Sequence, residues 1–173
     1  MFTQDVVIGN ACSLLAMITD SVSSTRKTTK EVLLFQSLGQ LIYCIGTIVL
    51  KGYSAAVQNA VSLARNVVAI RNINSKALEW TLVVLGVVLG VVFNNLGLIG
   101  LLPVLANLQY TLAIFRFRDN DRALKISFLI CVTMFAVFNA AILNIVGVCA
   151  NAVIFTTTVV ALLRDARKRR NRA

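Results

Sequence analysis

Histidine is absent from these 173 residues, proline occurs once and acidic residues number seven. Without histidine there is no imidazole to act as a general base, and no HExxH helix. GxSxG is missing too, and no two carboxylates cluster, so the usual hydrolytic machinery has no carrier. The four cysteines, Cys12, Cys44, Cys131 and Cys149, stand apart in apolar surroundings. With no CxxC and no metal spacing, they read as buried free thiols. Charge of either sign is scarce. Only 14% of residues carry one, against roughly 25% in a soluble domain. Nothing here points to a catalytic centre, a metal site or a cofactor.

Apolar sequence fills the space that charge leaves. The chain is 58% hydrophobic, with a mean hydropathy of +0.81. Residues 80–115 and 126–163 contain no charge at all. A bilayer-spanning helix needs about 20 largely apolar residues, so each block is long enough for two spans. The runs are continuously apolar rather than alternating, which excludes a barrel and leaves helices. Seven apolar segments are expected: 6–22, 31–50, 53–71, 77–93, 96–115, 124–145 and 147–164. The only proline, Pro103, falls inside the fifth, where a kink is tolerated because neighbouring helices re-satisfy the freed carbonyl. The N-terminus "MFTQDVVIGN" carries Asp5 and no basic region, so it does not read as a cleavable signal.

The net charge of +10 does not indicate nucleic acid, because the cations line no amphipathic face. They fall between the apolar blocks, and on alternate sides. Arg26, Lys27 and Lys30 follow the first helix, Arg71 and Lys76 the third, and Arg116, Arg118, Arg122 and Lys125 the fifth. Six more lie in "RDARKRRNR" at the end, while Lys51 stands alone on the other side. Positive loops face the cytoplasm. Seven spans then place the N-terminus outside and the C-terminus inside. The basic tail also suits anionic lipid, and Trp80 reads as an interfacial anchor.

A repeat runs through the chain. "IG" at 8–9 returns at 99–100, Arg26 as Arg118, Asn59 as Asn151, "VVA" at 67–69 as 159–161 and Arg71 as Arg164, all offset by 91 to 93. The expected architecture is all-α and membrane-integral, with two parallel three-helix bundles joined by an inversion helix. The divisions are 1–73, 74–94 and 95–164, with a basic tail at 165–173. Parallel repeats of this kind are a known transporter plan, with the site near midplane between them.

The stretches "RKTTKEVLLFQSLGQLIYCIGTIVLKGYSAAVQNAVSLARNVVAIR" (26–71) and "GLLPVLANLQYTLAIF" (100–115) resemble the YgjV family of bacterial inner-membrane proteins. The three-plus-one-plus-three plan is similar, more distantly, to SWEET sugar transporters and the vitamin transporter PnuC. That likeness implies that Asn59 and Asn151, or Asn66 in a slipped register, line a solute pocket. The Pro-Gln motif of that wider group is not intact, since Val104 follows Pro103.

Polar side chains in lipid are costly and face the bundle interior. Asn59, Ser62, Arg65 and Asn66 share a stripe on helix 3. Gln36, Gln40, Tyr43 and Thr47 share one on helix 2. Asn10, Ser13 and Asp20 do so on helix 1, and Pro103, Asn107 and Tyr110 on helix 5. Asn139 and Asn151 add one position each from helices 6 and 7. Two readings stand side by side. One is interhelical glue, at ~0.6 kcal/mol per bond on average. The other is a cavity for a neutral vitamin-, nucleoside- or sugar-like solute. Arg65, roughly 9 Å in from Arg71 along the helix, either snorkels or pairs with Asp20, or holds an anionic group of the solute. The expected partners are thus the lipid bilayer and a small solute, with a second copy of the chain left open. The function expected is transport. A solute-binding subunit that needs a partner, or a structural role, is the alternative.

Overall fold

Seven hydrophobic runs separated by polar turns leave the chain little choice but helices. The computed structural model describes residues 3–23, 26, 28–71, 73, 75–117 and 120–170. Among them are seven long helices, one of them entered through a single extra turn, and no strand. We number them α1 (Gln4–Ser23), α2 (Thr29–Val49), α3 (Tyr53–Ile70), α4 (Lys76–Val92), α5 (Gly97–Gly100), α6 (Leu102–Arg116), α7 (Asp121–Ala141) and α8 (Ile145–Arg170). Four of the starts are capped by side chains. Thr28 Oγ1 accepts from Glu31 N, Ser75 Oγ from Leu78 N, Asn120 Oδ1 from Ala123 N, and Asn144 Oδ1 from Gly147 N. Glu31 and Glu79 sit in first turns, where a carboxylate favours the positive end of the helix dipole. Lys27, Arg118 and the end of the basic tail lie outside the described residues.

By length and composition three helical stretches are able to cross a membrane: Gln4–Ser23, Arg122–Ala141 and Ile145–Arg164. Leu33–Val49 and Gly97–Ala113 are apolar but shorter. α3 is not in this group, and the reason is its own polar content: Gln58, Asn59, Ser62, Arg65 and Asn66 within 18 residues.

Pro103 does not kink a continuous helix. The fifth segment is broken at Leu101, and Pro103 lies in the first turn of α6. Proline lacks an N–H and its ring collides with the carbonyl four residues back. The chain places it where no intrahelical donor is needed.

The helices form a ring. α1 packs on α2, α2 on α3, α3 on α6, α6 on α7, α7 on α8, and α8 closes on α1. α4 stands outside the ring, against the α3–α6 seam. α5 reaches α3, α6 and α7. One end of the ring is plugged by Leu50, Ala55, Phe138 and Ile142, with Val6, Leu96 and Leu102 packed around them.

Two turns at this end are built alike. Leu50 N bonds Gly46 O, Lys51 N bonds Ile48 O, Gly52 N bonds Thr47 O, and Ala56 N bonds Gly52 O. The same four bonds recur 92 residues on, from Ile142, Leu143, Asn144 and Val148 to Phe138, Ala140, Asn139 and Asn144. Lys51 (φ 57) and Leu143 (φ 59) occupy the left-handed position that closes each helix. Each of their carbonyls is taken by an asparagine from elsewhere: Asn95 Nδ2 donates to Lys51 O at 2.7 Å, and Asn10 Nδ2 to Leu143 O at 2.8 Å.

The burial pattern is the reverse of a soluble protein's. On α2 the stripe Leu34, Leu38, Leu41, Ile45, Ile48 points outward, each about half exposed. The interior holds small and polar side chains: Ser13, Ala16, Ser54, Ala55, Gln58, Ala106 and Asn144. Lipid is as apolar as leucine, so helices associate through close backbone approach and polar bonds rather than by hiding hydrophobes. Cys131 is buried, as expected of the thiols, and Cys12 and Cys44 are half-buried, but Cys149 is exposed on α8, because that helix turns its middle outward.

Candidate functional site

At the seam between α3 and α6, where α4 lies across both, there is a partly open cleft of about 240 Å³. α3 contributes Gln58, Val61, Ser62 and Arg65, which recur at helical spacing on one face. α4 contributes Glu79, Leu82, Val83, Gly86 and Val87. α6 contributes Val104, Asn107, Leu108 and Thr111. From Gln58 to Arg65 the cleft runs about 10 Å along α3, at ~1.5 Å per residue.

The deep end is a polar knot that ties three helices. Gln58, 4% exposed, donates from Nε2 to Gly86 O at 2.8 Å and accepts from Asn107 Nδ2 at 3.0 Å. The approach is close enough that α4 needs glycine there. A Cβ on Gly90 would lie 2.6 Å from Val104 Cγ2 and 2.8 Å from Gln58 Nε2. The shallow end carries the charges. Arg65 and Glu79 both line it, and both side chains are exposed. Tyr110 of α6 is near enough to Arg65 to interact electrostatically, and its ring packs on Phe128 of α7 at 5.4 Å between centroids. Between the two ends the walls are aliphatic.

The ten residues expected to form a site do not converge on one space. Arg65 and Asn107 reach the cleft. Asn59 does not: it turns to α2 and donates to Thr47 Oγ1 over a long 3.5 Å. Asn66, 7% exposed, is buried but outside the cleft lining. The stripe that faces the cleft is shifted by one residue, to 58, 62 and 65. Gln36, Gln40 and Tyr43 are half-buried on α2, which packs against α1 and α3. Asn139 is spent in the α7–α8 turn, where its Oδ1 accepts from Asn144 Nδ2 at 3.1 Å. Asn151 is half-buried on α8, a helix that touches α1 and α7 but not α3 among the described residues. The Asn59–Asn151 pairing put forward by the transporter likeness therefore joins helices that are not neighbours.

Arg65 does not pair with Asp20. Asp20 sits at the α1–α2 seam against Gly39, and its Oδ1 is buried with no hydrogen-bond partner among the described residues. Tyr43 shares that seam electrostatically. The Asp20 pairing was one of three readings open for Arg65; it matched the two residues by depth along their helices, whereas their faces point to different seams. Gln58, Glu79 and Thr111 were not among the expected site residues. Gln58 had a visible signal, its spacing to Ser62 and Arg65. Glu79 looked like an ordinary first-turn carboxylate.

No group of three or more His, Cys, Asp or Glu able to hold a metal occurs among the described residues. The chemistry available in the cleft is amide and hydroxyl hydrogen bonding, one guanidinium and one carboxylate. A family model described as bacterial inner membrane protein matches residues 7–169. No curated protein and no solved structure matches the chain.

Proposed function

This chain belongs to the Imp-YgjV family of bacterial inner membrane proteins, and on that footing we propose that it carries a small polar solute across that membrane. The moving parts are two three-helix units, α1–α3 and α5–α8, with α4 outside them. The units meet at two seams, α3–α6 and α1–α8. Rocking about them would expose the cleft to one side and then the other, the alternating access typical of paired repeats.

The observation that carries this reading is the location of the cleft. It opens on a seam between the two units and not inside either one, and its polar floor, Gln58 to Asn107, spans the seam. Two further features support it. The 92-residue recurrence of the turn bonds sets the units in register. The helix starts at Gln4, Thr29 and Tyr53 also recur at Gly97, Asp121 and Ile145. The polar set itself is not duplicated: 92 residues after Gln58 stands Ala150, and after Arg65 stands Thr157. One seam thus holds the solute and the other serves as the opposing hinge. The end bearing Arg71, Lys76, Arg122 and Lys125 faces the cytoplasm in this reading, by the positive-inside rule, and the N-terminus lies outside. No residue is assigned a catalytic role.

The test is transport by the purified protein alone, reconstituted into liposomes and supplied with labelled sugars, nucleosides, vitamins and amino acids. Uptake of at least one class, lost on Gln58→Leu, is the expected result. Solute binding without any uptake would leave a capture subunit that needs a partner and would remove the carrier reading.

A further inference from the structure

The cleft is lined by two ionisable side chains of opposite sign, and among the described residues neither is used in an ion pair. Arg65 projects from α3 and Glu79 from α4, on facing walls of one space of about 240 Å³. Among the described residues neither forms an ion pair, with the other or with any third group. A charge held within a membrane helix costs ~2.5–3.5 kcal/mol at the centre and less toward the interface. An isolated Arg65–Glu79 contact would be the simplest way to lower that cost. The two side chains instead flank a gap.

What lies between them describes the occupant. Val61, Leu82, Val83 and Leu108 make the middle of the cleft aliphatic. The volume is below the ~300–1,000 Å³ of pockets for drug-sized ligands, so the body is short. A guanidinium favours a carboxylate or phosphate, which it can grip with two parallel bonds. A carboxylate on the facing wall favours an ammonium group.

We infer that the occupant is a zwitterion, an ammonium and an anionic oxygen group on a short apolar body. The anionic group sits on Arg65, the ammonium on Glu79, and the apolar body lies along the aliphatic wall toward the Gln58–Asn107 knot. This chemistry is shared by an aliphatic α-amino acid and by the headgroup region of an ethanolamine phospholipid. The inference rests on the reading of this cleft as the solute site.

The test compares leucine with two molecules that each keep half of its charge, 4-methylpentanoate and isopentylamine, and with uncharged uridine. Binding to the purified full-length protein in phosphatidylcholine nanodiscs is measured by calorimetry and by thermal shift. Leucine is expected to bind at least about tenfold more tightly than either half-molecule, since a hydrogen-bonded charge contact is worth about a decade in affinity. Arg65→Gln should erase the preference for leucine over the amine. Glu79→Gln should erase its preference over the acid. Both side chains are exposed, so both variants should melt close to the parent, and each serves as the other's folding control. If the source is lipid, exchanging phosphatidylcholine for phosphatidylethanolamine raises the melting temperature in an Arg65- and Glu79-dependent way while leucine does nothing. Either source supports a zwitterion. Uridine binding that ignores both substitutions, or no charge-dependent binding of any probe or lipid, overturns it. Charge-dependent leucine binding without liposome uptake refutes the carrier and keeps the zwitterion. Uptake of a neutral solute refutes the zwitterion and keeps the carrier.

Discussion

Gly86→Ala and Gly90→Ala, one turn apart on the same buried face of α4, should shift stability in opposite directions. At Gly86 a new methyl would meet Gln58 Oε1 and the two methyls of Val61 at 3.6–3.7 Å, ordinary contact. Only the helix-propensity gain of about 0.8–1 kcal/mol remains. At Gly90 the methyl would lie 2.6 Å from Val104 Cγ2 and 2.8 Å from Gln58 Nε2, where carbon contacts settle at ~3.5–4.0 Å. Neither neighbour is free to retreat. Gln58 is bonded at both ends of its amide, and Val104 is 3% exposed and stiff about χ1. α4 must therefore withdraw by about 1 Å. Overpacking of this kind costs about 1–3 kcal/mol, from which the same propensity gain is subtracted. The two variants should differ by roughly 1–3 kcal/mol in reversible unfolding from mixed micelles, with Gly90→Ala the weaker. In a Gln58→Ala background the Gly90→Ala penalty should shrink. Equal stability of the two variants would refute the claim that α4 is clamped through Gln58.

Three other outcomes follow from the same geometry. Gly39→Ala should destabilise, because its methyl would collide with the Asp20 carboxylate, and Asp20→Ala should suppress that loss in a thermal-melt double-mutant cycle; additivity would separate the two sites. Lys51→Gly and Leu143→Gly should each raise stability by about 1 kcal/mol, since both residues hold a left-handed conformation that costs an L-residue roughly 1–2 kcal/mol; a loss at either would mean its side chain matters more than its backbone. Reporter fusions at Lys51 and at Arg122 should report opposite faces of the membrane, and a shared face would end the seven-span topology.

The helix count and most helix boundaries were legible because each span is a long apolar run ended by polar or glycine-marked turns. The break at Leu101 was not read correctly, although the proline that causes it was seen, because an apolar run hides where a helix restarts. The site was legible only in part. On α3 the stripes 58–62–65 and 59–62–66 are equally regular, and periodicity does not say which faces a neighbour. The choice is made by α4 and α6, whose arrival at that seam depends on how the ring closes. Asn107 was found because it shares one helical stripe with Pro103 and Tyr110. Glu79 was missed because helix starts attract carboxylates for reasons unrelated to ligands.

The bond from Asn10 to Leu143 O spans 133 residues, and this sets an order of events during synthesis. Chains grow at ~5–20 residues per second, so α1 enters the bilayer roughly 7–27 s before its partner exists. Through that interval the Asn10 amide has only the Val6 carbonyl of its own helix, a bond of 2.8 Å. Its oxygen waits for the Val146 N–H, which it accepts at 3.0 Å in the finished protein. α2 is synthesised directly after α1, its neighbour in the finished ring, while the α1–α8 seam has to wait for the last helix. A nascent chain stopped before Ile145 therefore carries an open ring, with a polar edge turned toward lipid or toward whatever insertion factor shields it.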